Sequence, residues 1–125
     1  MAGTLTISTL SDGTNSTSST NCIQGSAKAW VNFNGSTQAV RGSYNVSSIT
    51  LVATGQFTVN YTSALPNVNY SIQVTASSVA SGTSPTFASI YESGTISTSG
   101  TTVQCNTDTG ATRNPLYVYV AVFSS

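Results

Sequence analysis

Apolar and polar residues alternate along much of the chain with a period of two. The segment 56–61 reads QFTVNY, and the segment 68–76 reads VNYSIQVTA. In both segments aromatic, β-branched and other apolar residues take alternate positions, and Gln, Thr, Asn or Ser take the positions between them. This is the pattern of a β-strand with one buried side and one side facing solvent. No stretch repeats with the period of an amphipathic helix, so the pattern predicts an all-β chain.

Turn-forming residues separate these apolar runs at short, regular intervals. Strands spaced by about 8–12 residues with Gly, Pro, Asn and Asp between them are typical of a β-sandwich or barrel. We therefore predict an antiparallel β-sandwich of about eight or nine strands. The first strand is predicted at residues 4–8, TLTIS. The turns are predicted at Asp12-Gly13, Asn34-Gly35, Pro66, 81–83, 92–95, Gly100 and 106–115.

The segment 43–51, SYNVSSITL, breaks the alternation. Tyr44 and Val46 share one phase, whereas Ile49 and Leu51 take the other. A one-residue slip turns every following side chain to the opposite side of a strand. A β-bulge at residues 47–48 would accommodate this slip.

The last strand, LYVYVAVF at residues 116–123, is apolar on both of its sides. A strand of this kind needs cover on both sides, and one layer of a sandwich covers only one. A loop or a neighbouring chain must therefore cover the second side. One side carries Leu116, Val118, Val120 and Val122, and the other carries Tyr117, Tyr119, Ala121 and Phe123.

The segment 27–35, AKAWVNFNG, places the single tryptophan, Trp30, opposite a predicted core side. Three interpretations stay open. Trp30 lies under a loop of its own subunit, packs in a subunit interface, or stacks on a sugar or other ligand. The same alternatives apply to Tyr117, Tyr119 and Phe123, where a subunit interface is favoured because interfaces are enriched in aromatic residues. These four residues are the candidate interface or ligand-contact residues.

Charged residues make up only 5% of the chain, and the formal net charge is zero. Three basic residues cannot supply the phosphate contacts on which nucleic-acid binding relies, and no apolar run approaches the length of a membrane span. The chain has no His, and two Cys alone do not make a zinc site, so no metal or cofactor is expected. The three acidic residues lie in predicted turns and nothing pairs them, which argues against an enzyme. Arg41 and Arg113 are expected to brace loops, through Glu92 or an aspartate, or to contact an acidic sugar.

The N-terminal segment differs in composition from the rest of the chain. We interpret residues 1–21 as a short arm and a Ser/Thr-rich linker, and residues 22–125 as the sandwich domain. Alternatively, the arm pairs with an edge strand of another subunit. The first residues lack the features of a secretory signal, so we expect assembly in a cytoplasm and free thiols at Cys22 and Cys105, with a disulfide as the alternative.

Several motifs together resemble a module of bacteriophage virion proteins. The motifs are AKAWVNFNG, RGSYNVSSIT and GQFTVNYTSALPNVNYS, in this order, and the closing YVYVAVF is similar to the last strand of that module. The resemblance runs from about residue 25 to residue 71 and returns at the end, roughly half of the chain. The module is known from tail-fibre and receptor-binding regions, and no catalytic residues are known for it.

The resemblance implies a homotrimeric, β-rich structural component of a virion. Its partners would be its own copies, other virion proteins and a glycan or protein of the host surface. The expected function is that of a tail fibre or receptor-binding component. Two alternatives stay open, a capsid decoration protein that bridges shell subunits and a free-standing carbohydrate-binding module.

Overall fold

The computed structural model describes residues 3–78 and 84–125, and β-strands dominate them. Eleven strands and one short helix lie within these two ranges, so the predicted all-β class is confirmed. The elements are β1 (Thr9–Ser11), β2 (Ser16–Ser18), α1 (Ser19–Gly25), β3 (Ala29–Phe33), β4 (Val40–Tyr44), β5 (Val46–Ala53), β6 (Gln56–Tyr61), β7 (Ser71–Ala76), β8 (Thr86–Ile90), β9 (Ile96–Ser97), β10 (Gly100–Thr107) and β11 (Val118–Phe123).

Two antiparallel sheets form the sandwich. Sheet I has the strand order β4-β3-β11-β7, and sheet II has the order β5-β6-β10-β8 with β9 beside β10. The described residues thus place nine strands in the sandwich, which agrees with the eight or nine predicted. Strands β1 and β2 form a separate hairpin.

The core lies between the sheets and contains the inward side chains predicted from the alternation. Phe33 of sheet I meets Phe57 of sheet II edge to face, with ring centroids 5.3 Å apart. Such aromatic pairs add about 0.5–1.5 kcal/mol to the energy of burying their surface. The buried apolar residues are Ala29, Val31, Phe33, Phe57, Val59, Tyr61, Leu65, Val103, Cys105, Val118, Val120 and Val122.

A corner at Asn45 carries the chain from sheet I to sheet II. Asn45 has a φ of 54°, in the left-handed region that Asn tolerates better than most residues. Its amide nitrogen donates to the carbonyl oxygens of Lys28 and Ser63, each at 3.1 Å, and its side-chain oxygen accepts from the Ser63 N–H at 2.7 Å. These bonds hold the backbone at the point where β4 ends and β5 begins.

Near the corner one prediction is confirmed and another is wrong. The pairing of β5 with β6 shifts between Val46 and Ser48, so the predicted β-bulge is confirmed. The shared phase of Tyr44 and Val46 is wrong, because Asn45 ends one strand between them. Val46 packs against the core, whereas Tyr44 pairs with Trp30 on the outside of sheet I and is 60% exposed.

The N-terminal segment differs from its prediction in two ways. Residues 4–8 are not a strand, and the residues predicted as a linker contain β2 and the first part of α1. Short polar side chains complete the missing backbone hydrogen bonds there. Asp12 accepts from the N–H groups of Asn15 and Thr14, which lowers the pKa of its carboxyl group, and Ser18 caps α1 by accepting from the Asn21 N–H.

The predicted hairpin at Asn34-Gly35 is present but has a longer connection. Strand β3 ends at Phe33 and β4 begins at Val40, so residues 34–39 form the loop. The loop lies against Pro115 at Gly35. The two residues are so close that a Cβ atom at Gly35 would lie 2.5 Å from the Pro115 carbonyl oxygen. The turn predicted at 81–83 lies outside the described residues.

Both cysteines are free thiols, as expected, and the alternative disulfide is absent. Cys105 is buried in sheet II, and this burial raises the pKa of its thiol to about 11, while Arg113 acts in the opposite direction. Cys22 is half-buried in α1.

Candidate functional site

The outward side chains of sheet I stand in rows that cross its four strands. The registers of β3 with β4, of β11 with β3 and of β11 with β7 define each row. One row contains Tyr44, Trp30, Ala121 and Gln73. The next row contains Gly42, Asn32, Tyr119 and Thr75.

Large aromatic side chains on this side remain open to solvent. The exposed fractions are 44% for Trp30, 60% for Tyr44, 40% for Tyr117 and 45% for Tyr119. We call these four residues the aromatic face. Because Trp30 is this exposed, the interpretation that a loop of its own subunit covers it does not hold for the described part of the chain. An interface and a ligand remain as its possible partners.

Trp30 borders a groove on the aromatic face. Its six-membered ring reaches over Gly42 on the neighbouring strand, where a Cβ atom would lie 3.5 Å and 3.6 Å from Cζ3 and Cη2. The small side chain of Ala121 on the other neighbouring strand leaves a depression between Trp30 and Gln73. This groove has a volume of about 470 Å³, and it is lined by Trp30, Val31, Asn32, Gln73, Thr75, Tyr119, Val120 and Ala121.

Polar side chains with free hydrogen-bonding capacity line the far side of the groove. The side chains of Gln73 and Thr75 make no hydrogen bond with any other residue of 3–78 and 84–125 whose contacts are described, and both are exposed. The Asn32 side-chain oxygen accepts only a long contact of 3.5 Å from Nη1 of Arg41. The groove therefore offers donors and acceptors as well as a stacking surface.

Arg41 and two tyrosines form one end of the aromatic face. The guanidinium carbon lies 4.2 Å from the centroid of the Tyr117 ring, and Nη2 donates to the Leu116 carbonyl oxygen at 2.9 Å. The rings of Tyr117 and Tyr119 are nearly parallel, with centroids 6.4 Å apart. The guanidinium is thus held by a ring and a carbonyl group.

The predicted role of the arginines is partly corrected. Arg41 does brace a loop, but through a carbonyl oxygen and an aromatic ring. Arg113 lies 3.5 Å from the Ser84 carbonyl oxygen through Nη1. Among the residues described, neither guanidinium has the carboxylate partner that was expected, because Glu92 and Asp108 are exposed in turns elsewhere.

The structure brings three of the four predicted site residues together. Trp30 and Tyr119 line the groove, and Tyr117 stacks on Tyr119. Phe123 lies outside the groove, since it is half-buried two positions beyond Ala121 and pairs with Ser71.

Sequence reasoning missed Tyr44 and did not assign Asn32, Gln73 and Thr75 to the site. For Tyr44 a signal existed, because Asn45 is a residue that often occupies the left-handed conformation of a corner. For Gln73 and Thr75 the outward phase was visible in the alternation. Their position beside Trp30 depends on the pairing of β7 with β11, which no local pattern reveals.

The groups on the aromatic face can bind a partner by stacking and hydrogen bonding.

Within residues 3–78 and 84–125, no three His, Cys, Asp or Glu side chains come close enough to hold a metal ion. Over the same ranges, no helix has the length and apolarity that a membrane crossing requires.

Comparison of the chain with protein-family models, with curated proteins and with solved structures found no match.

Proposed function

We propose that this chain is a structural protein of a bacteriophage virion, a tail-fibre or receptor-binding component that forms a homotrimer and contacts the host surface. The observation that carries the proposal is the aromatic face, an exposed surface for which the described residues provide no cover. The motifs that resemble the virion module support it. They supply most of three of the four strands of sheet I, since AKAWVNFNG contains β3, RGSYNVSSIT contains β4 except Val40, and YVYVAVF contains β11.

The chemistry of the aromatic face is that of a contact surface. Contiguous exposed apolar patches are uncommon on monomeric proteins, and where they occur they mark interaction sites. Tyr and Trp serve well there because each combines a large apolar area with a polar tip. Arg41 is the basic residue beside the face, and it is engaged with Tyr117 and Leu116, so recognition would depend on shape and polar contacts.

The N-terminal arm together with helix α1 offers a second exposed apolar surface, through which copies of the chain would join. Helix α1 has no buried residue, and it lies beside β2, the strand that directly precedes it in the chain. An isolated helix of this length and a hairpin of this size are both marginal in water. Association of arms in the trimer would cover their apolar side chains and leave the aromatic face to the host. The exposed side chains are Leu5 at 81%, Ile7 at 37%, Leu10 at 53% and Ile23 at 64%.

A trimer would strengthen a weak contact with the host. When binding sites are linked, each further contact becomes intramolecular, and the overall affinity can exceed that of a single site by about 10²–10⁴-fold. A modest binding energy at each aromatic face is then sufficient for attachment.

Light scattering on the purified chain tests the assembly. We expect a particle three times the 12.8 kDa mass of one chain. The double variant Leu5→Ser/Ile23→Ser should shift this particle toward the monomer. Its matched control, Ile96→Ser, removes a side chain of sheet II that is 46% exposed and should leave the trimer intact. A wild-type chain that stays monomeric at high concentration would contradict the proposal.

Immunogold labelling of phage particles tests the location. Label at the tail is the expected result. Label spread over the shell would instead support the capsid decoration protein, and particles without label would remove the virion assignment. If the chain is a monomer that binds sugar, and the antibody does not label particles, the chain would be a free-standing carbohydrate-binding module.

A further inference from the structure

We propose that the groove between Trp30 and Gln73 binds a neutral pyranose sugar, with one face of the sugar ring stacked on the indole of Trp30. This inference rests on the proposed function only for the source of the sugar, the host surface. The site itself is argued from the side chains of sheet I.

The first requirement of such a site is an open aromatic ring beside a depression. A pyranose has one face made mainly of C–H groups, and these carry a small positive charge. The face of an aromatic ring is electron-rich, so the two surfaces attract each other. Trp30 is the largest ring on the face, it is 44% exposed, and its six-membered ring is supported from the neighbouring strand at Gly42. Ala121 leaves space at its other side.

The second requirement is a set of hydrogen-bonding groups that meet the hydroxyls at the edge of the sugar ring. Gln73 and Thr75 lie across the groove from Trp30, and Asn32 lies in the adjacent row. Each of these side chains can both donate and accept. A sugar hydroxyl can also donate or accept, so it can form a hydrogen bond with any of these side chains in either direction.

The same polar groups argue against a purely apolar occupant. Burying a polar group without a partner costs the full free energy of removing that group from water. An apolar surface of another protein would bury Gln73, Thr75 and Asn32 at this cost, whereas a sugar would supply partners for all three. The mixture of one open indole with several uncommitted amide and hydroxyl groups therefore favours a polyol.

The charges around the groove favour a neutral sugar. None of the described residues that line the groove is charged. Arg41 approaches Asn32 only at 3.5 Å, and its guanidinium is already held by Tyr117 and the Leu116 carbonyl group. A carboxylate on the sugar would thus lose its hydration in the groove and gain no uncommitted cation in return.

The experiment is binding of the purified full chain to an array of oligosaccharides. The array carries neutral hexose and N-acetylhexosamine oligosaccharides beside sialylated and uronic-acid-containing ones. The variants are Trp30→Ala, Gln73→Ala and the matched control Phe87→Ala, which removes an aromatic side chain of sheet II that is 59% exposed. Circular dichroism and thermal melting verify that each variant is folded.

We expect the wild-type chain to bind neutral members of the array. Trp30→Ala should abolish this signal, Gln73→Ala should weaken it by roughly threefold to tenfold, as expected for one hydrogen bond, and Phe87→Ala should leave it unchanged. The inference is overturned if no neutral sugar binds, if only acidic sugars bind, or if folded Trp30→Ala and Gln73→Ala variants bind as the wild type does.

These results separate the inference from the proposed function. Tail labelling without sugar binding would support the proposed virion function and contradict the proposed sugar site. Sugar binding without labelling of particles would retain the site and remove the virion assignment.

Discussion

The two outer faces of the sandwich are built by the same alternation, yet they use their polar side chains in opposite ways. On sheet II, Gln56 donates to Gln104 at 3.1 Å and Gln104 donates to Asn106 at 2.7 Å. Next to them the hydroxyl groups of Thr58 and Thr102 lie 2.8 Å apart. We call these five residues the amide ladder. On sheet I, Gln73 and Thr75 have no such partners among the described residues, and the aromatic face remains open.

One end of the amide ladder, at Thr102, is also covered by chain, whereas the aromatic face is not. Residues 91–95 run beside β10, and Gly94 lies against the Thr102 side chain. The Thr95 N–H donates to the Thr102 hydroxyl at 3.0 Å, and Thr102 is only 1% exposed. Hydrogen bonds that are closed within a sheet stabilise the fold, whereas polar groups without a partner in the chain are available to a ligand or another protein.

Adding one methyl group on each outer face should separate the stabilities of the two faces most strongly. In Gly94→Ala the new Cβ would lie 2.5 Å from the Cβ of Thr102, so either the loop or the strand must move. Overpacking of this kind costs about 1–3 kcal/mol of the free energy of unfolding. In the matched control, Gly42→Ala, the new atom would meet Trp30 at 3.5 Å, an ordinary contact, and stability should stay within about 0.5 kcal/mol.

Urea unfolding of both glycine variants measures this difference. If Gly42→Ala destabilised the chain as much as Gly94→Ala, the two faces would be packed alike and the comparison would fail.

A smaller effect is expected from removing one amide on each face. Gln104→Ala breaks the bonds to Gln56 and Asn106, and it should lower the free energy of unfolding by about 1–2 kcal/mol, since a net hydrogen bond contributes about 0.5–1.5 kcal/mol. Gln73→Ala breaks no described hydrogen bond and should leave stability within about 0.5 kcal/mol. Equal losses in chemical denaturation would show that Gln73 is a structural residue.

The smallest effect at neutral pH concerns the interior beneath the two faces. Burial raises the pKa of the Cys105 thiol from 9.0 to about 11, so the folded chain disfavours the thiolate more than the unfolded chain does. The corresponding stability is fully present below pH 9 and is lost as the pH rises toward 11. Burial also raises the pKa of Tyr61, which extends the alkaline loss.

Thermal melting at a series of pH values from 7 to 11 tests this expectation. Cys105→Ala should melt with a shallower alkaline slope than the wild type, whereas the matched control Cys22→Ser, in helix α1, should keep the wild-type slope. An unchanged slope in Cys105→Ala would show that this thiol is hydrated in the folded chain.

The sequence predicted the sandwich well because burial on one side of a strand leaves a local record. The alternation in β6 places Phe57, Val59 and Tyr61 in the core, and all three are buried there. The slip near Ser47 is also local, because a bulge is visible wherever the apolar phase reverses.

The candidate site could be predicted only in part, because it depends on which strands are neighbours. Trp30 and Tyr119 were recognised from their phase opposite the core. Their approach to Gln73 follows from β11 lying between β3 and β7, a pairing between distant segments of the chain. Tyr44 was missed because a left-handed residue, Asn45, ends the strand where the alternation continues without interruption.

Binding at the aromatic face requires this face to be open in the assembled protein, and the chain's single tryptophan, Trp30, reports on it directly. Acrylamide quenching of Trp30 fluorescence in the native assembly, measured without and then with a neutral oligosaccharide bound by the array test, is the most direct measurement. We predict ready quenching of the free assembly, in keeping with the 44% exposure of Trp30, and protection when the sugar is present. Fluorescence that resists acrylamide without any sugar would mean that subunits bury this face against each other, and would contradict the account.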